Sequence, residues 1–343
     1  MSRKVTIKDI ARELNTTIST VSRALNDSPL ISIQTKALVK KKAAEMGYRP
    51  NSIARQLRDG RSRTLGLLVP RINRAFFANV IHGVESIAKQ EGYQLLICQS
   101  NDSVEEEEEA IKTLREQKVA GIIVSRASDA IHDDFYQEIL DDGIPLVMFD
   151  RVARSLNVNQ VINANESGSY LAVKHLIQQG YQKILHFGGP LSINVYQERY
   201  AGYVKALAEA QIPLDESLVF RTVLTQEEGQ KCMKQILERT LSFDAIAAAS
   251  DFSALGASLE LEQAGFLIPD QVGLVGFANE SFTELIGMSS VEQYSVDMGM
   301  TSAKLLLEEI EGREKDAPQM HRQMVIVPKL VVRKSSQKGN ERR

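Results

Sequence analysis

Thr6-Ile7-Lys8-Asp9-Ile10-Ala11-Arg12-Glu13-Leu14 sets Ile7, Ile10, Ala11 and Leu14 at i, i+3, i+4 and i+7, one face of a helix. Thr6 is suited to cap its N-terminus, with Asp9 in the first turn. Asn15-Thr16-Thr17 then breaks the pattern, and Asn15 tolerates the left-handed backbone that a tight helix ending needs. A second helix begins after Thr17, with Val21, Ala24 and Leu25 inward and Ile18, Ser19, Ser22, Arg23 and Asn26 outward. A third runs from about Ser32 to Met46, with Val39, Ala43 and Met46 inward, Lys40 to Lys42 outward and Gly47 as its stop. Three short helices, a tight turn between the first two and an arginine on the outer face of the second predict a helix-turn-helix unit.

Charge separates this head from the rest. Residues 1–63 carry 14 Lys and Arg against 5 Asp and Glu, net +9, so the remainder of a chain of formal charge -3 is net -12. A basic head on an acidic body points to a polyanion partner for the head alone. The competing reading is an amphipathic hairpin with a solvated basic face; the charge, the turn and the outward Arg23 together favour DNA. In the major groove, Arg23 donates to guanine O6 and N7, Ser19 bonds a base or phosphate, and Ile18 touches a thymine methyl. Arg3, Lys4 and Lys40 to Lys42 supply salt-sensitive phosphate contacts.

With 343 residues, 43% hydrophobic and 25% charged, the chain has the composition of a globular protein about two domains long. Disorder, collagen and coiled coil fit poorly. The charged N-terminus has no apolar h-region, and no apolar run reaches spanning length, so a cytoplasmic location is expected. Cys98 and Cys232, each in an apolar segment, read as free buried thiols.

From Thr64 short β-rich runs alternate with helical stretches. Strands are expected at Leu65–Val69, Tyr93–Gln99, Gly121–Ser125, Pro145–Phe149, Gln160–Asn163, Lys183–Phe187, Val219–Val223, Ala245–Ala249, Val272–Phe277, Val291–Ser295 and Met324–Val332. Helices such as Phe77–Gln90, Ser167–Gln179, Tyr200–Ala210 and Ser253–Gln263 lie between them. Repeated βα units of this number predict an α/β core of two Rossmann-like lobes, with a cleft at the carboxyl ends of the strands. Residues after strand ends become ligand candidates: Asn73 to Phe77, Ser125, Asp150-Arg151, Ile193 to Arg199, Ser250-Asp251 and Ala278-Asn279.

Three stretches carry a specific resemblance: Val5 to Ala11, Ser19-Thr20-Val21-Ser22-Arg23-Ala24-Leu25-Asn26, and Met46-Gly47-Tyr48-Arg49-Pro50-Asn51 with Ala54-Arg55-Gln56-Leu57. The chain closely resembles the lactose/galactose-repressor (LacI/GalR) family over essentially its whole length. Asn15-Thr16 departs from the Gly-Val more usual there, which alters only turn detail. The resemblance implies a helix-turn-helix domain at 1–49, a hinge helix and linker at 50–63, a periplasmic-binding-protein-like core at 64–333 and a tail at 334–343. Lobe 1 is expected at about 64–163 and 291–323, and lobe 2 at about 164–290 and 324–333. Chain crossings are expected near Asn163 to Asn165, near Ser290 and before Val325, and the polar stretch from Arg333 is expected to be disordered.

We expect base or groove contacts from Ile18, Ser19, Ser22, Arg23, Ala54 and Leu57, and phosphate contacts from Thr6, Thr17, Asn26, Lys40 and Arg55. In the family the hinge helix forms only on DNA, paired with the dimer mate, and its Leu wedges between bases in the minor groove; Leu57 is the matching residue. For an isolated monomer, a flexible linker with an incidental Leu is the alternative. The expected effector contacts are Phe76, Phe77, Ser125, Asp150, Ile193, Arg199, Asp251 and Asn279. Phe76 and Phe77 resemble the first-loop aromatics and Arg199 the effector-binding arginine; the bland alternatives are a core Phe76 and a surface Arg199. Ala278 replaces an Asp that many relatives use as an acceptor, so a phosphorylated or carboxylated metabolite and a neutral sugar both stay open.

No Gly-x-Gly-x-x-Gly follows the first strand, and Walker A, His-Glu-x-x-His and Gly-x-Ser-x-Gly are missing, so catalytic residues, metal and cofactor are not expected. His82, His132, His175, His186 and His321 lack ligand spacing; His186 near a strand end reads as a core histidine. Glu105 to Glu109 cannot share one helix face, and is expected to gain from the helix dipole and otherwise to face solvent. A small-molecule enzyme, a solute-binding protein and an architectural DNA protein remain the alternatives. The expected function is a repressor, acting as a homodimer on a pseudo-palindromic double-stranded operator under control of a small-molecule effector, with no membrane contact. No terminal heptad zipper is present, which favours the dimer over a tetramer.

Overall fold

The computed structural model describes residues 5–48, 62–127, 134–315 and 320–338. The chain divides into two units, Met1–Ser62 and Arg63–Arg343.

The first unit holds α1 (Ile7–Glu13), α2 (Ile18–Leu25) and α3 (Ile33–Glu45). Thr6 and Asp9 form a reciprocal capping box, and Thr17 and Ser32 cap the next two helices. Asn15, at φ 46°, takes the left-handed turn between α1 and α2. Ile10, Ala11, Val21, Ala24, Val39 and Ala43 form its core. These are the inward residues of the three helical stripes, so here pattern and packing coincide.

The second unit begins with β1 (Thr64–Val69), α4 (Ala75–Gln90), β2 (Gln94–Gln99), α5 (Val104–Glu116), β3 (Gly121–Val124), α6 (Asp134–Asp141), β4 (Leu146–Phe149) and β5 (Asn159–Asn163). It continues with α7 (Asn165–Gln178), β6 (Ile184–Phe187), α8 (Asn194–Glu209), β7 (Val219–Phe220), α9 (Gln226–Glu238), β8 (Ala245–Ala248) and α10 (Asp251–Gln263). The last elements are β9 (Gly273–Ala278), α11 (Ser281–Leu285), β10 (Ser289–Glu292), α12 (Ser295–Glu314), β11 (Gln323–Ile326) and β12 (Lys329–Val331). Two six-stranded sheets result, ordered β11-β5-β4-β3-β1-β2 and β12-β10-β9-β8-β6-β7. Every pairing is parallel except β10 with β12. The central β3, β4, β6 and β8 are buried along their whole length, as parallel strands covered by helices on both faces must be.

The crossings differ in detail from the sequence expectation. Ser290 lies within β10, in the second sheet, and the chain crosses after it, at Gln293-Tyr294. Ser295, expected in a strand, starts α12. The expected strand Met324–Val332 is two: β11 joins the first sheet beside β5 and β12 joins the second beside β10. Pro328 sits in the break, where it offers no N–H to continue a ladder. Residues 324–326 thus belong to the first lobe. Past Arg333, Lys334–Ser336 form a 3-10 turn rather than a disordered tail. Ser335 Oγ donates to the Leu274 carbonyl at 2.6 Å and accepts from Ser289 N at 2.8 Å, which pins the turn to the second sheet.

Candidate functional site

In the head, Ile18, Ser19, Arg23 and Asn26 are exposed and Ser22 is half-buried. A buried Val21 and Ala24 turn that face of α2 outward. Thr6 and Thr17 spend their hydroxyls on Asp9 and Thr20 as caps, and Asn26 Nδ2 donates back to the Ser22 carbonyl at 2.7 Å. Lys40 Nζ is 2.7 Å from Asp27 Oδ1, so its charge is partly answered within the head. Ala54, Arg55 and Leu57 lie outside the described residues.

In the second unit a cleft of about 380 Å³ opens where the carboxyl ends of both sheets meet. Each wall residue follows a strand. Arg71, Arg74, Phe76 and Phe77 come after β1, Asp102 after β2, Asp150 and Arg151 after β4. The other lobe contributes Val195, Tyr196 and Arg199 from α8, Leu224, Thr225 and Glu228 after β7, and Ala249, Ser250 and Phe252 after β8. Phe277, Ala278 and Glu280 at the end of β9 and Gln293 after β10 complete it.

Arg199 is only 6% exposed. Its Nε donates to Asn165 Oδ1 at 2.9 Å and its Nη1 to the Ala249 carbonyl at 2.8 Å. The guanidinium lies 3.8 Å from the centroid of the Phe277 ring. Burial draws its pKa down, yet a guanidinium stays charged in proteins. Asp150 holds a left-handed backbone at φ 55°, and burial pushes its carboxyl above the usual range against the pull of Arg151 and Arg199. Gln293 is buried and its Nε2 has no partner among the described residues. A rigid cation, a carboxyl and an amide donor thus converge on one cavity.

Phe76, Phe77, Asp150 and Arg199 reach the cavity as the sequence suggests; Ser125, Ile193, Asp251 and Asn279 do not. Asp251 is consumed within the protein, its Oδ1 accepting from Ser290 Oγ at 2.6 Å and its Oδ2 from Glu280 N at 2.8 Å. Asn279 Nδ2 donates to Glu292 Oε2 at 2.8 Å, away from the wall. Ser125 is fully buried at the end of β3, and Ile193 is buried ahead of α8. Sequence reading missed Arg71, Asp102, Thr225, Glu228, Phe252, Glu280 and Gln293. Asp102, Thr225 and Glu228 follow β2 and β7, whose ends carry no sequence candidate, and Gln293 falls inside the expected strand Val291–Ser295. Asn101-Asp102, both at positive φ, is a loop signal that marks the end of β2.

Other expectations resolve into packing. Glu107, from the acidic run, is not solvated: it is fully buried and accepts from Tyr136 Oη and Ala127 N. His186 stacks 4.8 Å from Tyr203, and burial lowers its pKa to about 4, a neutral core ring. Cys98 is half-buried and Cys232 buried, both as free thiols. Among the described residues no three His, Cys, Asp or Glu gather as a metal site, and no helix is long and apolar enough to cross a membrane.

Asp251 gives a pH test. Burial raises its pKa from 3.8 to about 7, so its contribution to stability is complete below about pH 4 and is lost as pH rises through about 7. The thermal midpoint is expected to fall between about pH 4 and 7 more steeply for the native chain than for Asp251→Asn. Parallel pH profiles would contradict this.

A helix-turn-helix unit in one chain with a two-lobed α/β core and a polar cleft defines a DNA-binding regulator on a periplasmic-binding-protein-like scaffold. Residues 6–51 match the model for bacterial regulatory proteins of the lacI family, and residues 62–329 that for periplasmic binding proteins and the sugar binding domain of the LacI family. The chain belongs to the LacI family of transcriptional regulators. It is 31% identical to the ribose operon repressor of Halalkalibacterium halodurans, over 97% of this chain and 98% of that one. The PurR repressor of Vibrio parahaemolyticus is also 31% identical, over 98% and 99%. Among solved structures, the Lac repressor dimer bound to operator and an anti-inducer superposes with a TM-score of 0.87 at 25% identity, over 97% and 99% of the chains. The CelR–cellobiose complex does so at 0.73 and 29%, over 97% and 100%.

Proposed function

We propose that this protein is a cytoplasmic transcriptional repressor that binds a pseudo-palindromic operator as a homodimer and changes its operator affinity when a small molecule occupies the cleft. The observation that carries the reading is the set of buried polar groups, Arg199, Asp150 and Gln293, that line one cavity from both lobes, with Gln293 Nε2 unpartnered among the described residues. The two-fold arrangement follows from recognition arithmetic: one head reads few base pairs, and paired half-sites multiply specificity. Relatives named as repressors, and one solved as an operator-bound dimer, support the same reading.

Base readout is assigned to the outer face of α2. After operator selection from random duplexes, Arg23→Ala is expected to cost about 1–3 kcal/mol on the selected site and to relax specificity at one position per half-site. Equal weakening on random DNA would remove Arg23 from base readout.

A further inference from the structure

We infer, on the reading of the cleft as the effector site, that the effector is an anion, a sugar-sized molecule bearing a carboxylate or phosphate, and that Arg71, Arg74 and Arg151 of the first lobe recognise that group. Arg71 and Arg151 share a single carboxylate: Arg71 Nε lies 2.8 Å from Asp102 Oδ2, and Arg151 Nη1 takes Oδ1. Two cations on one anion leave positive charge unanswered, and the buried Arg151 Nε has no partner among the described residues. Although burial works the other way, these two arginines hold the Asp102 carboxyl below its ordinary range. The Arg74 guanidinium makes no hydrogen bond or ion pair with any described residue; it lies 4.9 Å from the centroid of the Phe252 ring and acts only through space on Glu280 and Glu227.

The acids on the wall do not balance this. Glu228 is spent on the N-terminus of its own helix, accepting from Leu224 N at 2.8 Å and Thr225 N at 2.9 Å. Glu280 and Asp150 are both pushed toward their neutral forms by burial. Three helices also begin at the cleft without a side-chain cap, after Arg74, Ile193 and Ser250, so their positive dipole ends add to the field. A neutral ligand that expelled water would leave Arg74 and the spare N–H groups of Arg71 and Arg151 desolvated and unpaired, a cost that an anion removes.

The test is calorimetry and thermal shift on the full chain at constant ionic strength. The probes are glucuronate, galacturonate and glucose 6-phosphate, beside glucose, galactose and inorganic phosphate. The acids or the phosphates should raise the midpoint and the neutral hexoses should not; which anion responds separates carboxylate from phosphate recognition. Arg71→Gln and Arg74→Gln should each weaken the responding anion about 10-fold or more, and Arg74→Lys should recover part of the loss. No shift with any anionic probe overturns the proposal. A neutral hexose that binds, is lost in Arg199→Ala and is unaffected by Arg71→Gln or Arg74→Gln overturns the anion and leaves the cleft as effector site. Binding of any probe that no cleft variant alters overturns both.

Discussion

Arg199→Ala is expected to abolish the effector response while operator affinity without effector stays unchanged. The guanidinium is 6% exposed and is aimed by Asn165 and Ala249, so its geometry is preorganised before a ligand arrives. Removing one partner of a buried, charge-assisted contact costs about 2–5 kcal/mol, enough to erase binding at working concentrations. The head has its own core of Ile10, Val21 and Val39, which the substitution does not touch. The checks are effector calorimetry and operator titrations with and without effector. Linkage adds a second reading, because an effector that changes operator affinity must have its own affinity changed by operator to the same extent. A normal response in the variant would move the effector away from α8.

Gly83→Ala is expected to destabilise the core by about 3 kcal/mol or more. A Cβ on Gly83 of α4 would lie 2.2 Å from the Val296 carbonyl oxygen of α12, and one on Gly299 would lie 2.2 Å from the Val80 carbonyl. Both obstacles are backbone, so no rotamer change relieves them and the two helices must separate. Separation would open the cluster that holds Val80, Val84, Ile87 and Met298 under the first sheet. Gly312→Ala, on the same α12 with nothing within 4 Å of the added carbon, is the control. It should be neutral or stabilising by roughly 0.5–1 kcal/mol. Similar unfolding midpoints for the two variants would mean that the close approach of α4 and α12 is not what holds the lobe.

The helices illustrate what a sequence can say. α1, α2, α3 and α9 start at Thr6, Thr17, Ser32 and Thr225, whose hydroxyls accept from the third residue of each helix; such starts are written locally. α4, α8 and α10 begin two, six and two residues before the positions expected from periodicity, at Ala75, Asn194 and Asp251. None of these three carries a side-chain cap. All three start beside the cleft, but α7 also begins two residues early, at Asn165, without a side-chain cap and outside the cleft lining, so a missing cap blurs a helix start wherever it falls. Asp251 and Arg199 make the complementary point. Both follow strands and both are buried acids or bases, yet one is tied to Ser290 and the Glu280 amide while the other turns to the cavity.

By itself the sequence determined the basic head, its three helical stripes, the alternation of strands and helices and the chemistry gathered at strand ends, because each of these is local or periodic. Only the tertiary structure decided which sheet β11 and β12 join, where the chain crosses between lobes, and which polar side chains face the cleft. Those outcomes depend on partners far along the chain, Met324 beside Val161 in one sheet and Lys329 beside Glu292 in the other, and no local pattern encodes a partner beyond its own element.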